Sequence, residues 1–166
     1  MTLFRIVFLS CSALLLLTAC RNGKAEAAVG AQEEGPFLLF QKTACLGRCP
    51  AYDAAIASDG TVQFYGWGDV PITQDTVYLT IPEQALQDLK QEAAKIRLLN
   101  IPAPDPMVAY SDMPSTITTF YSNGREEKKI KQEEGGPAEL IRFQEYVHQL
   151  LMHLVAERAQ QQLPTR

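Results

Sequence analysis

The chain has 166 residues, 46% of them hydrophobic and 20% charged, with a formal net charge of −4 at pH 7. That length and apolar content suit one ordinary globular domain with a single core. The acidic balance excludes the electrostatic footprint of a nucleic-acid binder, and there is no basic cluster to hold the chain against anionic lipid.

The first segment is Met1 to Cys20, MTLFRIVFLSCSALLLLTAC. Arg5 precedes an apolar run from Ile6 to Leu17, interrupted only by Ser10, Cys11 and Ser12. A short positive region, a short apolar region and small residues before a cut define a secretory signal. Spanning a bilayer takes roughly 20 apolar residues, and this run is shorter. Leu17-Thr18-Ala19-Cys20 matches the box read by the lipoprotein signal peptidase, which predicts cleavage before Cys20 and lipidation of its thiol. Each buried methylene contributes about 0.8 kcal/mol, and stable anchoring needs more than one acyl chain. A cysteine bearing diacylglycerol and an N-acyl group meets that need. Residues 1–19 are therefore expected to be a signal peptide. Residues 20–35, polar and rich in Ala and Gly, are expected to be a flexible tether.

Residues 36–160 are predicted to form one α+β domain. Phe37 to Phe40 is strand-like, and from Tyr52 the residues Tyr52, Ala54 and Ile56 share one face. Asp59-Gly60 predicts a two-residue hairpin with positive φ at both positions. The next strand is expected over Thr61 to Gly68, with Val62 and Phe64 on one face and Gln63, Tyr65 and Trp67 on the other. A fourth follows over Thr76 to Thr80. Thr80-Ile81-Pro82-Glu83 reads as a capping box, opening a helix whose Leu86, Leu89, Ala93 and Ile96 recur at helical spacing to about Leu98. Pro102, Pro104 and Pro106 make Ile101 to Pro114 a long loop. A second hairpin runs from Thr116 to Tyr121, turns at Asn123-Gly124 and returns over Arg125 to Ile130. After Gly135-Gly136-Pro137, the residues Leu140, Phe143, Val147, Leu150, Leu151 and Leu154 mark one face of a long last helix, with residues 161–166 fraying. The order β-β-β-β-α-β-β-α predicts an antiparallel sheet of about six strands with two helices packed on one face.

Cys45-Leu46-Gly47-Arg48-Cys49-Pro50-Ala51-Tyr52 fits the pattern C-x-G-x-C-P-x-Y. Asp59-Gly60-Thr61-Val62, Tyr65-Gly66 and Ser111-Asp112-Met113-Pro114 follow it. In order and spacing these elements resemble the bacterial domain-of-unknown-function family 6438, found largely in exported and lipid-anchored proteins. The resemblance extends over roughly Phe37 to Val155, and the longer last helix departs from it. It implies a fold and a cellular location, and brings no activity with it.

Cys11 leaves with the signal and Cys20 carries lipid, so Cys45 and Cys49 remain as a close pair in an oxidising compartment, which reads as one disulfide. The pair admits three readings. A structural staple needs Cα atoms within about 7 Å, with Gly47 allowing the chain to curl. A redox pair would use a strained, reducible bond. A copper site would use soft thiolates on Cu(I). The thioredoxin-type context of that last reading requires a helix after the motif, whereas an alternating strand follows here.

His148 and His153 lie five residues apart on the last helix, about 140° around its axis, and cannot chelate one ion together. Asp105, Tyr110, Ser111, Asp112 and Ser115 gather around the Pro-rich loop without the elbow of a serine hydrolase. Asp112 suits an Asx-turn before Pro114. Tyr65 and Trp67 are candidates for binding, or for packing across strands against Tyr78 and Tyr121. The candidate ligand-binding residues are thus Tyr65, Trp67, Tyr110 and Asp112, with no catalytic or metal set and no cofactor.

The function expected is that of a lipid-anchored cell-envelope protein acting as a non-enzymatic binding or interaction module with one structural disulfide. The alternative is a thiol-redox or copper-handling lipoprotein. The partners expected are the membrane, through the N-terminal lipid, and an envelope protein or small ligand, with no nucleic acid. In a Gram-negative cell the expected place is the periplasmic face of the outer membrane.

Overall fold

Side chains alternate between the two faces of a strand, so the burial pattern of each strand tells which face meets the core. In the computed structural model, which describes residues 35–101 and 113–162, the strands are β1 (Leu38–Lys42), β2 (Tyr52–Ile56), β3 (Thr61–Gly66) and β4 (Thr76–Thr80). Helix α1 (Glu83–Leu98) follows, then β5 (Thr116–Ser122), β6 (Arg125–Gln132) and helix α2 (Ala138–Gln162). The signal, Cys20 and the tether up to residue 34, together with Asp105, Tyr110, Ser111 and Asp112, lie outside the described residues. No described helix is long and apolar enough to cross a membrane.

The six strands make one sheet in the order β4-β3-β2-β1-β5-β6, every neighbour antiparallel. The predicted α+β class and six-strand count are both observed. One core row crosses the sheet through Val77, Phe64, Ala54, Phe40, Thr118 and Ile130, and all six are buried. Leu86, Leu89, Ala93 and Ile96 of α1 and Leu140, Phe143, Val147, Leu151 and Val155 of α2 close over that face. Burying a side chain of this size stabilises by about 1.5–3 kcal/mol, so this single apolar layer holds the domain together.

Three local expectations are corrected. The turn at Asp59-Gly60 has three residues, not two. Only Gly60 has positive φ (89°), its N–H donates to the Ala57 carbonyl (3.0 Å), and Ala57 N–H bonds to Thr61 O (2.8 Å). This is a type I turn closed by a glycine bulge, which leaves Asp59 free to accept the Thr61 N–H at 2.8 Å. Thr80 does not cap α1. Its backbone is paired with Thr61 in the sheet, so the boundary residue is Pro82, with no side-chain cap. Glu83 instead accepts from Gln87 (2.7 Å). Strand β3 stops at Gly66, because the amides of Trp67 and Gly68 both turn to the Ala51 carbonyl (2.9 and 3.0 Å). The second turn matches expectation, with positive φ at both Asn123 and Gly124.

Helix α1 ends against the sheet. Lys128, on the core side of β6, donates from Nζ to the carbonyls of Arg97 (3.0 Å), Ile96 (3.4 Å) and Leu99. A cation on the last carbonyls satisfies groups the helix itself leaves open. Arg97 also pairs with Glu127 on the same strand.

Candidate functional site

Cys45 to Tyr52 and Tyr65-Gly66 meet at one end of the sheet, where Tyr52 pairs with Gly66, whereas Asp59-Gly60 turns at the other. Cys45 and Cys49 are joined by a disulfide with Cα atoms 5.8 Å apart. The bond closes a loop in which Leu46 is 92% exposed, so an apolar side chain stands in water there. The loop is fastened a second time. Asp69 N–H donates to the Cys49 carbonyl (3.1 Å), and Arg48 reaches the Asp69 carboxylate through Nε (3.2 Å) and Nη2 (3.3 Å). The carboxylate holds the Arg48 guanidinium pKa above its ordinary value.

The glycine that this packing requires is Gly68, which corrects the role expected of Gly47. A Cβ at Gly47 would meet only Cys45 Sγ, at 3.9 Å, and its φ is not positive. A Cβ at Gly68 would come within 2.8 Å of Ala51 N and 2.9 Å of Cys49 O, both backbone atoms that cannot move aside. The close approach of 66–69 to the disulfide loop therefore depends on Gly68.

Tyr65 and Trp67 stand beside this loop on the face that the helices leave open, 41% and 42% exposed, with Tyr78 of β4 at 66%. Trp67 is one residue past the end of β3. Tyr78 lies opposite Gln63 in the register, diagonal to Tyr65. The expected partner Tyr121 is on β5, and β2 and β1 stand between it and β3, so it does not pack against Tyr65 or Trp67. The other two sequence candidates, Tyr110 and Asp112, are outside the described residues, so Tyr65 and Trp67 alone are placed.

Beneath the loop lies a polar pair that the motif pattern does not announce. Tyr52, the last residue of C-x-G-x-C-P-x-Y, is fully buried, and its ring stacks on His148 of α2 with centroids 5.8 Å apart. The Tyr52 hydroxyl lies 2.8 Å from His148 Nδ1. Burial, followed by the Glu145 charge, pushes the phenol pKa well above its ordinary value. Burial, helped by Lys42 and opposed by Glu145, pulls the imidazole below its own. Both groups are thus neutral, and one hydrogen bond joins the phenol oxygen to Nδ1. Lys42, half-buried on the same face, has its pKa lowered by burial against the pull of Glu145, and its Nζ donates to Thr116 Oγ1 at 3.4 Å. Gln144, buried on α2, donates to Thr118 (3.2 Å). His153 is exposed beside Glu157 (3.3 Å).

This polar layer joins sheet to helix through the Tyr52–His148 and Gln144–Thr118 bonds. His148 is held through Nδ1 by Tyr52. Ser115 is buried, and its N–H donates to Thr43 Oγ1 (2.7 Å). Among the described residues no three His, Cys, Asp or Glu side chains gather as a metal set. A groove of about 430 Å³ lies between the helices, walled by Ile96, Leu99, Phe143 and Tyr146.

The fold and this site define a class: an antiparallel α+β domain with a short surface disulfide and an aromatic open face. The chain belongs to the family described as a domain of unknown function, DUF6438, whose model matches residues 36–151. No curated protein and no solved structure matches the chain.

Proposed function

We propose that the protein is an exported lipoprotein, cut before Cys20 and held on a membrane by that residue, whose domain is a non-enzymatic binding module. The observation that carries the binding role is the exposure of three large apolar side chains, Leu46 in the disulfide-closed loop and Tyr65 and Trp67 in and just past β3, the strand whose continuation is tied to that loop by the Asp69 N–H bond to Cys49 O. Rigid aromatic side chains lose little entropy on contact and recur as anchors of protein interfaces. The partner is an envelope protein or a small ligand that meets this rim from the face the helices leave open.

The experiment has two arms. A labelled fatty acid should be incorporated into the wild-type chain and not into Cys20→Ala. A photo-crosslinking residue at Leu46 should capture a discrete envelope partner, and Trp67→Ala with Tyr65→Ala should abolish the capture without lowering the melting temperature. Unchanged capture in that variant would reject the rim as the contact surface.

A second reading, thiol exchange, is favoured by the partial exposure of both cysteines on a surface loop. A reduction potential near −200 mV would put this reading ahead, and one below about −300 mV would leave the bond as a structural staple.

A further inference from the structure

The two edges of the sheet are built differently. Strand β6, REEKKIKQ, carries charges at six of its eight positions, and the phase of β5–β1 bonding turns the backbone of Lys129 and Lys131 outward. Tyr121 N–H bonds to Phe37 O (3.0 Å), so the odd residues of β5 face β1 and its even ones face β6. Lysines along an edge are a common guard against pairing with another chain. Strand β4, TVYLT, has no charge at all.

The phase of β4 is equally definite. Ile81 N–H bonds to Gly60 O (2.9 Å), which places Val77 and Leu79 in bonding register with β3 and turns the N–H and C=O of Thr76, Tyr78 and Thr80 outward. Thr76 N–H is taken by Asp75 Oδ1 (2.8 Å), so that among the described residues Tyr78 and Thr80 are the open donors of this edge. The strand also reads nearly the same in both directions, Thr-Val-Tyr-Leu-Thr. A two-fold axis through Tyr78 therefore sets Thr76 against Thr80 of a copy, Val77 against Leu79, and Tyr78 against itself. In that register the outward groups of the two Tyr78 residues bond to each other, and each Thr80 N–H meets the open Thr76 carbonyl of the copy. Like meets like on both faces, and no charge is brought against a like charge. A foreign strand would find backbone bonds here but not this symmetry.

We infer that β4 is the site of self-association, pairing antiparallel with β4 of a second copy about an axis through Tyr78. The contact is isologous and closes after two copies, so it yields a dimer and not a fibre. It uses backbone edges and leaves the side chains of Tyr65, Trp67 and Tyr78 standing on one continuous open face of twice the width. The inference is independent of the binding rim and goes beyond it.

The test uses the full chain in neutral detergent. Directly bonded antiparallel residues have Cα atoms about 5.5 Å apart, within the range that a disulfide bridges. Tyr78→Cys, exposed and outside the core, should link to itself on mild oxidation, with the bond mapped by peptide mass to position 78 of both chains. The yield should exceed that of Lys129→Cys, on the guarded edge, at least tenfold. Adding Thr76→Lys and Thr80→Lys should cut the yield at least tenfold, because the pairing sets each lysine against another. The lysines leave the β3 ladder intact, and an unchanged melting curve would verify that. A Tyr78→Cys yield no higher than that of Lys129→Cys would overturn the inference by itself. So would linkage of position 78 to a different protein, or a yield indifferent to the added lysines.

Discussion

Replacing Tyr52 with Phe removes a single oxygen at the junction of motif, sheet and last helix. The ring stays buried against Phe64, with centroids 5.0 Å apart, so packing is preserved and the change is confined to the bond with His148 Nδ1. A net hydrogen bond between neutral groups contributes about 1 kcal/mol, and a ring nitrogen left without its partner adds to the loss. His148 is half-buried and water reaches part of its ring, so the second contribution is below its full value. The expected cost is about 1–2 kcal/mol, or a fall in Tm of roughly 3–8 °C. Urea unfolding followed by circular dichroism measures it directly.

The same pair makes stability depend on pH. The His148 pKa is lower folded than unfolded, so below its ordinary value of 6.5 the unfolded chain takes the proton first. Stability is full above that value and is lost as pH falls toward the lowered one. His148→Gln should flatten this slope while leaving stability at pH 8 within about 2 kcal/mol of wild type. A Tyr52→Phe cost below about 0.3 kcal/mol, or an unchanged slope in His148→Gln, would refute the assignment of two neutral, bonded partners.

Cys45→Ser with Cys49→Ser should lower stability by about 2 kcal/mol, as expected for closing so short a loop, and denaturant midpoints compared with and without reductant would measure it. Gly68→Ala should cost about 1–3 kcal/mol through backbone overlap with Ala51 and Cys49, whereas Gly47→Ala should change stability by less than about 0.5 kcal/mol; thermal melts of the two variants decide which glycine the loop needs. Lys128→Met should cost about 1–2 kcal/mol by freeing the carbonyls at the end of α1, and faster amide exchange over the last turn of that helix would localise the loss.

What was legible in the sequence followed the range of the interaction. Asn123-Gly124 was readable because a type I′ turn is decided by its own two residues. Asp59-Gly60 announced a hairpin but not its class, since one glycine with positive φ serves both a two-residue turn and a bulged one. The capping box failed because Thr80 was already engaged in β4, and a strand register is not visible in four residues. Alternation separates Phe64 from Tyr65 correctly, yet it does not say which strands are neighbours, and so Tyr121 looks like a partner for aromatics that lie three strands away. The Tyr52–His148 pair joins residues 96 apart. No periodic pattern links a strand tyrosine to a helix histidine. Lys128, inside a run of charges, reads as a solvated edge residue until the end of α1 is seen above it. Gly68 reads as one more turn glycine, because the backbone it must clear belongs to the segment beside Cys49.

The strand order also bears on how the chain reaches this state. The first strand made during synthesis, β1, ends in the middle of the sheet, with β2 on one side and β5 on the other. Strands β1 to β4 form a meander of neighbours that can pair as soon as they emerge. The far edge of β1 stays bare until Thr116–Ser122 arrives, because Leu38 pairs with Phe120 and Phe40 with Thr118. A half-made chain therefore presents two open edges, the uncharged β4 and β1 with Lys42 as its one charge, and the lysine-rich β6 that guards one end is among the last pieces delivered. From residue 80 until residue 122 arrives that far edge of β1 has no partner, so this is the interval in which the growing sheet is most open to a foreign strand.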